Sequence, residues 1–118
     1  MYDTVAQYGQ VLGSPVDDWH PPIMVRLWQQ LHRIAPGMAP MFALQLAFYA
    51  LGFSLVVAAL AKAGRWRSAV ATAVLALSPL LLGWQMVVLK DAQMLAALIC
   101  AVGIAAHHLL ANRRISAP

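Results

Sequence analysis

The chain has 118 residues, of which 62% are apolar and only 10% charged, with a formal net charge of +4. A soluble domain carries about 25% charged residues, so this composition excludes an ordinary globular unit and points to a membrane protein with little aqueous structure. The positive charge does not imply nucleic-acid binding either, because the basic residues sit at the ends of apolar runs and form no stripe.

All four acids are aspartates: Asp3, Asp17, Asp18 and Asp91. The one cysteine, Cys100, lies inside an apolar run, so no internal disulfide can form. Residues 1–20 lack a basic start and an apolar core, and no signal peptide is expected.

In chain order, Thr4-Val5-Ala6-Gln7 fits a capping box, with Thr4 as N-cap and Gln7 reaching back. Val5, Tyr8, Val11 and Leu12 then share one face of a short helix, which Gly13-Ser14-Pro15 stops. Next comes Asp17-Asp18-Trp19-His20-Pro21-Pro22, where the prolines hold the preceding backbone extended. Two carboxylates, an indole and an imidazole beside a membrane suggest a polar ligand. The same residues are also ordinary as a cap before a helix.

A second helix is predicted from Pro22, since proline suits the first helical position. Ile23, Met24, Leu27, Trp28, Leu31 and Ile34 recur with helical period, opposite Arg26, Gln29, Gln30 and Arg33. This stretch is too short and polar to span, so it should lie in the interface plane, with Trp28 toward lipid and Arg33 toward water. Pro36-Gly37 ends it.

A bilayer core of about 30 Å needs roughly 20 apolar residues as helix. Three spans are predicted, near 39–61, 68–89 and 92–111, with a tight hairpin at Lys90-Asp91. Charges at that point in one continuous crossing would cost about 2.5–3.5 kcal/mol each. Lys62, Arg65, Arg67, Arg113 and Arg114 fall on one side without an acid, and the positive-inside rule makes that side cytoplasmic. Residues 1–38 and 90–91 are then outside, 62–67 and 112–118 inside. Trp66 and Trp84 near span ends suit interfacial aromatics.

Within the spans, Ala50, Ser54 and Ala58, and likewise Ala97, Ala101 and Ala105, recur at the four-residue spacing that allows close helix approach. Pro79 should kink the second span and free a carbonyl one turn earlier. Gln45 needs a polar partner. His107-His108 reads as a span end, and neighbouring helical positions point about 100° apart, which suits no metal pair. No metal-ligand motif is present, and a divalent-metal requirement stays open. The expected fold is all-α: a polytopic membrane protein with three transmembrane helices, preceded by a short helix and an in-plane amphipathic juxtamembrane helix. Its parts are an outward segment 1–38, a three-span bundle 39–111 and a tail 112–118.

These residues resemble the first external loop of GT-C class membrane glycosyltransferases, in particular the bacterial protein-mannosyltransferase-like group that uses polyprenyl-phosphate sugars. The matching pieces are Asp3 in Tyr2-Asp3-Thr4, then Trp19-His20-Pro21-Pro22, then Lys90-Asp91 after the third apolar stretch. The resemblance implies an all-helical enzyme in which a first-loop aspartate deprotonates an acceptor hydroxyl. That hydroxyl then displaces a lipid phosphate from the anomeric carbon. It makes Asp3 the leading base, with Asp17 or Asp18 second. His20, Lys90 and Arg26 would hold the donor phosphate, Asp91 would join them in binding the donor phosphate or sugar, and Trp19 would stack on sugar or prenyl chain. The lipid-linked sugar is substrate, and no cofactor is certain.

Members of that group have more spans, one of them ahead of the aspartate. The chain is therefore expected to be the beginning of a longer enzyme, a miscalled start or a truncated gene, inactive alone and completed by further transmembrane helices or a partner subunit in a bacterial-type inner membrane. The rival expectation is a small non-enzymatic three-span protein, or an accessory subunit of a transferase.

Overall fold

The computed structural model describes residues 2–15 and 22–113. Among the described residues the regular structure is helical: α1 (Tyr2–Val11), α2 (Pro22–Ile34), α3 (Ala39–Lys62), α4 (Trp66–Ala76), α5 (Pro79–Gln85) and α6 (Lys90–Arg113). By length and composition α3 and α6 can each cross a membrane. The pair α4–α5, bent by 51°, makes a third crossing if it is one broken span.

Glycine sets two of the helix ends. Gly13 and Gly64 have φ of +116° and +75°, backbone that L side chains avoid. After α1, the Ser14 amide donates to Gly9 O at 3.0 Å and the Gly13 amide to Gln10 O at 3.3 Å. After α3, the Arg65 amide donates to Leu60 O at 2.9 Å and the Gly64 amide to Ala61 O at 3.0 Å. Both are Schellman ends, which pair the last carbonyls of a helix while reversing the chain.

The second predicted span is not one helix. Pro79 has no amide proton to continue the ladder, and the chain breaks at Leu77-Ser78. The Ser78 amide donates to Leu75 O at 3.0 Å, and the Ser78 hydroxyl accepts from the Leu81 amide at 3.4 Å, capping α5. The Tyr49 hydroxyl, from α3, donates to Ala76 O at 2.6 Å. Carbonyls freed in an apolar setting thus find partners, the condition under which a broken span is tolerated.

The tight hairpin expected at Lys90-Asp91 also shifts. Residues 86–89 make the connection, and Lys90 and Asp91 form the first turn of α6. An aspartate there interacts favourably with the helix dipole.

α3 and α6 run in the same direction. Gly52 meets Ile99 and Cys100, Gly103 meets Gly52 and Leu55, and Lys62 Nζ lies 2.9 Å from His107 Nε2. α4–α5 returns the chain from the end of α3 to the start of α6. α3 packs against both α6 and α4, whereas α4 and α6 make little contact with each other. These helices therefore form an open layer with α3 in the middle, and α1 and α2 pack at the end where α3 and α6 begin.

The small-residue stripes expected at the helix contact face outward instead. Ala50, Ser54, Ala97, Ala101 and Ala105 are exposed, and Ala58 is half-buried. The α3–α6 contact uses Gly52 and Leu55 against Ile99, Cys100 and Gly103. Lipid and protein present equally apolar surroundings, so small residues on the two faces of such a helix look alike in sequence.

Candidate functional site

The core of the α1–α2 end is built on α2. Trp28 is fully buried at 0% exposure, with Met24, Val25, Val11, Met41 and Val88 around it. Its indole Nε1 donates to Gly37 O at 3.2 Å, and the Gly37 amide donates back to His32 Nδ1 at 3.1 Å. Tyr8 packs on Trp28 with ring centroids 5.4 Å apart. Trp28 is thus an internal anchor and not the lipid-facing residue expected: the indole is both the largest apolar group available and a donor needing a partner.

The apolar edge that α2 leaves bare is Ile23 (77% exposed), Leu27 and Ile34 (83%). On an ideal helix these three positions fall within about 40° of one another. Arg26 and Arg33 lie on the exposed polar side. The helix has three faces: one on protein, one apolar and bare, one polar.

α1 keeps only part of the face expected from sequence, with Tyr8 half-buried against the core. Thr4, Gln7, Gln10 and Val11 are buried, whereas Val5 and Leu12 are exposed. The capping box does not form, because Thr4 lies inside the helix, which starts at Tyr2. The Thr4 hydroxyl donates instead to Val88 O at 2.9 Å. Gln7 reaches no cap: both its amide atoms are buried without a hydrogen-bond partner.

The turn before α6 is held from two sides. Thr4 reaches Val88 from α1, and Gln45 Nε2 of α3 donates to Gln85 O at 3.0 Å and Val87 O at 3.2 Å. Gln45 therefore makes the interhelical bond its position requires. These contacts bring the start of α1, carrying exposed Asp3, to the turn that leads into half-buried Lys90 and exposed Asp91. Of the other sequence-derived site residues, Arg26 is exposed on α2, and Asp17, Asp18, Trp19 and His20 lie outside the described residues.

Two cavities open at this end. One, of about 430 Å3, lies between α1, the start of α3 and the 86–89 turn, lined by Thr4, Met38, Phe42, Met86 and Val88 among others. The other, of about 410 Å3, lies between α2, α3 and α6. Lys90 and Gln93 stand at its α6 N-terminal end, and Ile23, Leu27, Phe48 and Met94 make much of its apolar wall. Among the described residues no three His, Cys or Asp side chains gather as a metal site.

The polar feature that sequence reading missed is a set of buried amides. Gln7, Gln85 and Gln93 join Gln45 in the interior. Both amide atoms of Gln85, and Oε1 of Gln45 and Gln93, have no hydrogen-bond partner. A glutamine inside an apolar run is the available signal, and it applied to Gln85 and Gln93 as well as to Gln45. Comparison with protein-family models, curated proteins and solved structures finds no match for the chain.

Proposed function

We propose that the chain is a non-enzymatic membrane unit that works by lateral assembly, as an accessory subunit or as one helical section of a larger complex. The observation that carries this reading is the outward position of the small residues. Ala97, Ala101 and Ala105 lie exposed along one side of α6, and Ala50 and Ser54 lie exposed on α3, while α3 and α6 hold each other through different residues. Small residues at four-residue spacing let a second helix approach to backbone contact. The open layer leaves these faces available, and the α1–α2 end acts as a rigid cap at one membrane surface.

We place that cap outside a bacterial-type inner membrane, with Arg65, Arg67 and Arg113 in the cytoplasm, on the positive-inside rule. The assembly test is disulfide trapping in native membranes. A cysteine at Ala105, in a Cys100→Ala background, should cross-link to a second helix, and Ala101→Ile should abolish the product. Unchanged monomeric migration for all positions on that stripe would sink the reading.

A second reading keeps the lipid-linked sugar transferase. It is favoured by the Thr4–Val88 hydrogen bond, which brings the helix bearing Asp3 beside the turn that leads into Lys90. In that reading Asp3 is the base, Lys90 and Arg26 hold the donor phosphate, and the missing helices come from a longer chain or a partner. A photoreactive polyprenyl-phosphate sugar should then label the α1–α6 end, and Asp3→Asn in the complete assembly should stop transfer while leaving labelling intact. Absence of labelling would remove it.

A further inference from the structure

The groove between α2 and α6 has the form of a site for one phospholipid. Its wall is apolar, contributed by Ile23 and Leu27 of α2, Phe48 of α3 and Met94 and Ala97 of α6. Its volume of about 410 Å3 falls within the roughly 300–1,000 Å3 of small-molecule sites. The polar groups are confined to the first turn of α6. Lys90 lines the groove and is half-buried; Asp91 stands next to it, exposed. Gln93 also lines it, is only 8% exposed, and has a buried Oε1 with no hydrogen-bond partner.

A buried amide without a partner is costly beside hydrocarbon, so a polar group of a ligand at that depth would relieve it. Helical rise puts Gln93 about 4.5 Å below Lys90 along α6. Ester oxygens only accept, so the carboxamide must rotate to donate its N–H to them at that level. Lys90 stands above it, Asp91 is exposed at the next position, about 100° farther round the helix and outside the groove lining, and the apolar wall continues below to Ala97. From the bilayer outward, this order is acyl chain, ester, phosphate, ammonium.

We propose that this groove binds one phosphatidylethanolamine molecule. One acyl chain lies between α2 and α6, the ester region is at Gln93, the phosphate at Lys90 and the ammonium at Asp91. The adjacent opposite charges match a zwitterionic head better than a purely anionic one, and the bare edge of α2 is what the chain covers. The bound lipid would fasten α2 to α6, which otherwise meet only across the groove. This inference rests on membrane placement and not on lateral assembly, so the two fail separately.

The test is native mass spectrometry of the full chain released from nanodiscs of phosphatidylethanolamine, phosphatidylglycerol or equal mixtures. The wild type should retain one phosphatidylethanolamine in preference to phosphatidylglycerol. Lys90→Gln should weaken retention of both lipids, and Gln93→Leu should weaken retention about two- to tenfold, the worth of one hydrogen bond. Asp91→Asn should erase the preference between heads while leaving retention itself. Ala97→Trp, which fills the groove from an exposed position, should abolish retention with helicity unchanged by circular dichroism.

Equal retention of the two lipids by the wild type, or a preference untouched by Asp91→Asn, would overturn the assignment. So would retention unaffected by Ala97→Trp. Selective retention of a polyprenyl phosphate would overturn it in favour of the transferase reading, and a cysteine at Met94 that cross-links to protein would show a helix in the groove instead.

Discussion

Gly103 packs directly on the backbone of Gly52. A Cβ added to Gly103 would stand 2.5 Å from the Gly52 carbonyl oxygen, and one added to Gly52 would stand 2.6 Å from the Cys100 amide nitrogen. These neighbours are backbone and have no rotamer with which to yield.

Gly52→Ala and Gly103→Ala should therefore each destabilise the α3–α6 pair. Alanine gains up to about 1 kcal/mol in helix propensity, but overpacking costs about 1–3 kcal/mol, and a rigid neighbour places these sites at the high end. The net expectation is a loss of about 1–2 kcal/mol in denaturant unfolding from mixed micelles. Gly83, with nothing within 4 Å of an added Cβ, provides the control: Gly83→Ala should be neutral or stabilising. A stable Gly103→Ala variant would mean that the two helices are not in backbone contact.

At the break in the second span, the Tyr49 hydroxyl satisfies Ala76 O at 2.6 Å. Tyr49→Phe keeps the ring and strands the carbonyl. The loss should be about 0.6 kcal/mol and at most about 1.7 kcal/mol, the average and the maximum measured for interhelical hydrogen bonds in a membrane protein. Hydrogen exchange should rise at residues 74–78 and not at the start of α3. If exchange at the break is unchanged, the hydroxyl is not what holds it.

Gln45 and Gln85 should respond in opposite ways to the same substitution. Gln45 supports two carbonyls of the turn before α6, so Gln45→Leu should cost about 1–3 kcal/mol for leaving buried acceptors unpaired. Gln85 is fully buried and neither of its amide atoms has a partner. Gln85→Leu should be neutral or stabilising, since a buried polar group without a partner only costs. Thermal denaturation of both variants decides this. A large loss for Gln85→Leu would place a bound water or ligand against its amide.

The three faces of α2 make a prediction about environment. A spin label at Ile23 should collide with oxygen dissolved in lipid, one at Arg33 with a water-soluble nickel chelate, and one at Trp28 with neither. Trp28→Ala should cost about 3–5 kcal/mol, as for a large aromatic removed from a core, and should loosen α1 as well, because Tyr8 loses its packing partner. Oxygen access at Trp28 matching that at Ile23 would contradict the buried anchor.

Much of this fold is legible in the residues themselves. The length of each apolar run sets where a span can lie, because the bilayer has a fixed thickness. Pro22 and Gly13 mark a helix start and stop through backbone chemistry that acts locally. Pro79 marks the break for the same reason. Even the placement of Asp3 and Lys90 at one end follows from counting crossings, since two, α3 and the bent pair α4–α5 taken as one, lie between them.

What only the tertiary structure decided is which side of each helix faces inward. In water, apolar means inside, and periodicity carries a sign. Next to lipid both outside and inside are apolar, so the sign is lost: α1 buries Thr4 and Gln7 and exposes Val5, and the outward alanines of α6 look no different from the inward Ala92 and Ala96. Trp28 turns inward because its indole can reach the Gly37 carbonyl, and Thr4 leaves its predicted cap because the Val88 carbonyl lies within reach. The first partner lies in the link that follows α2, whereas the second is 84 residues away and is set by how the helices pack.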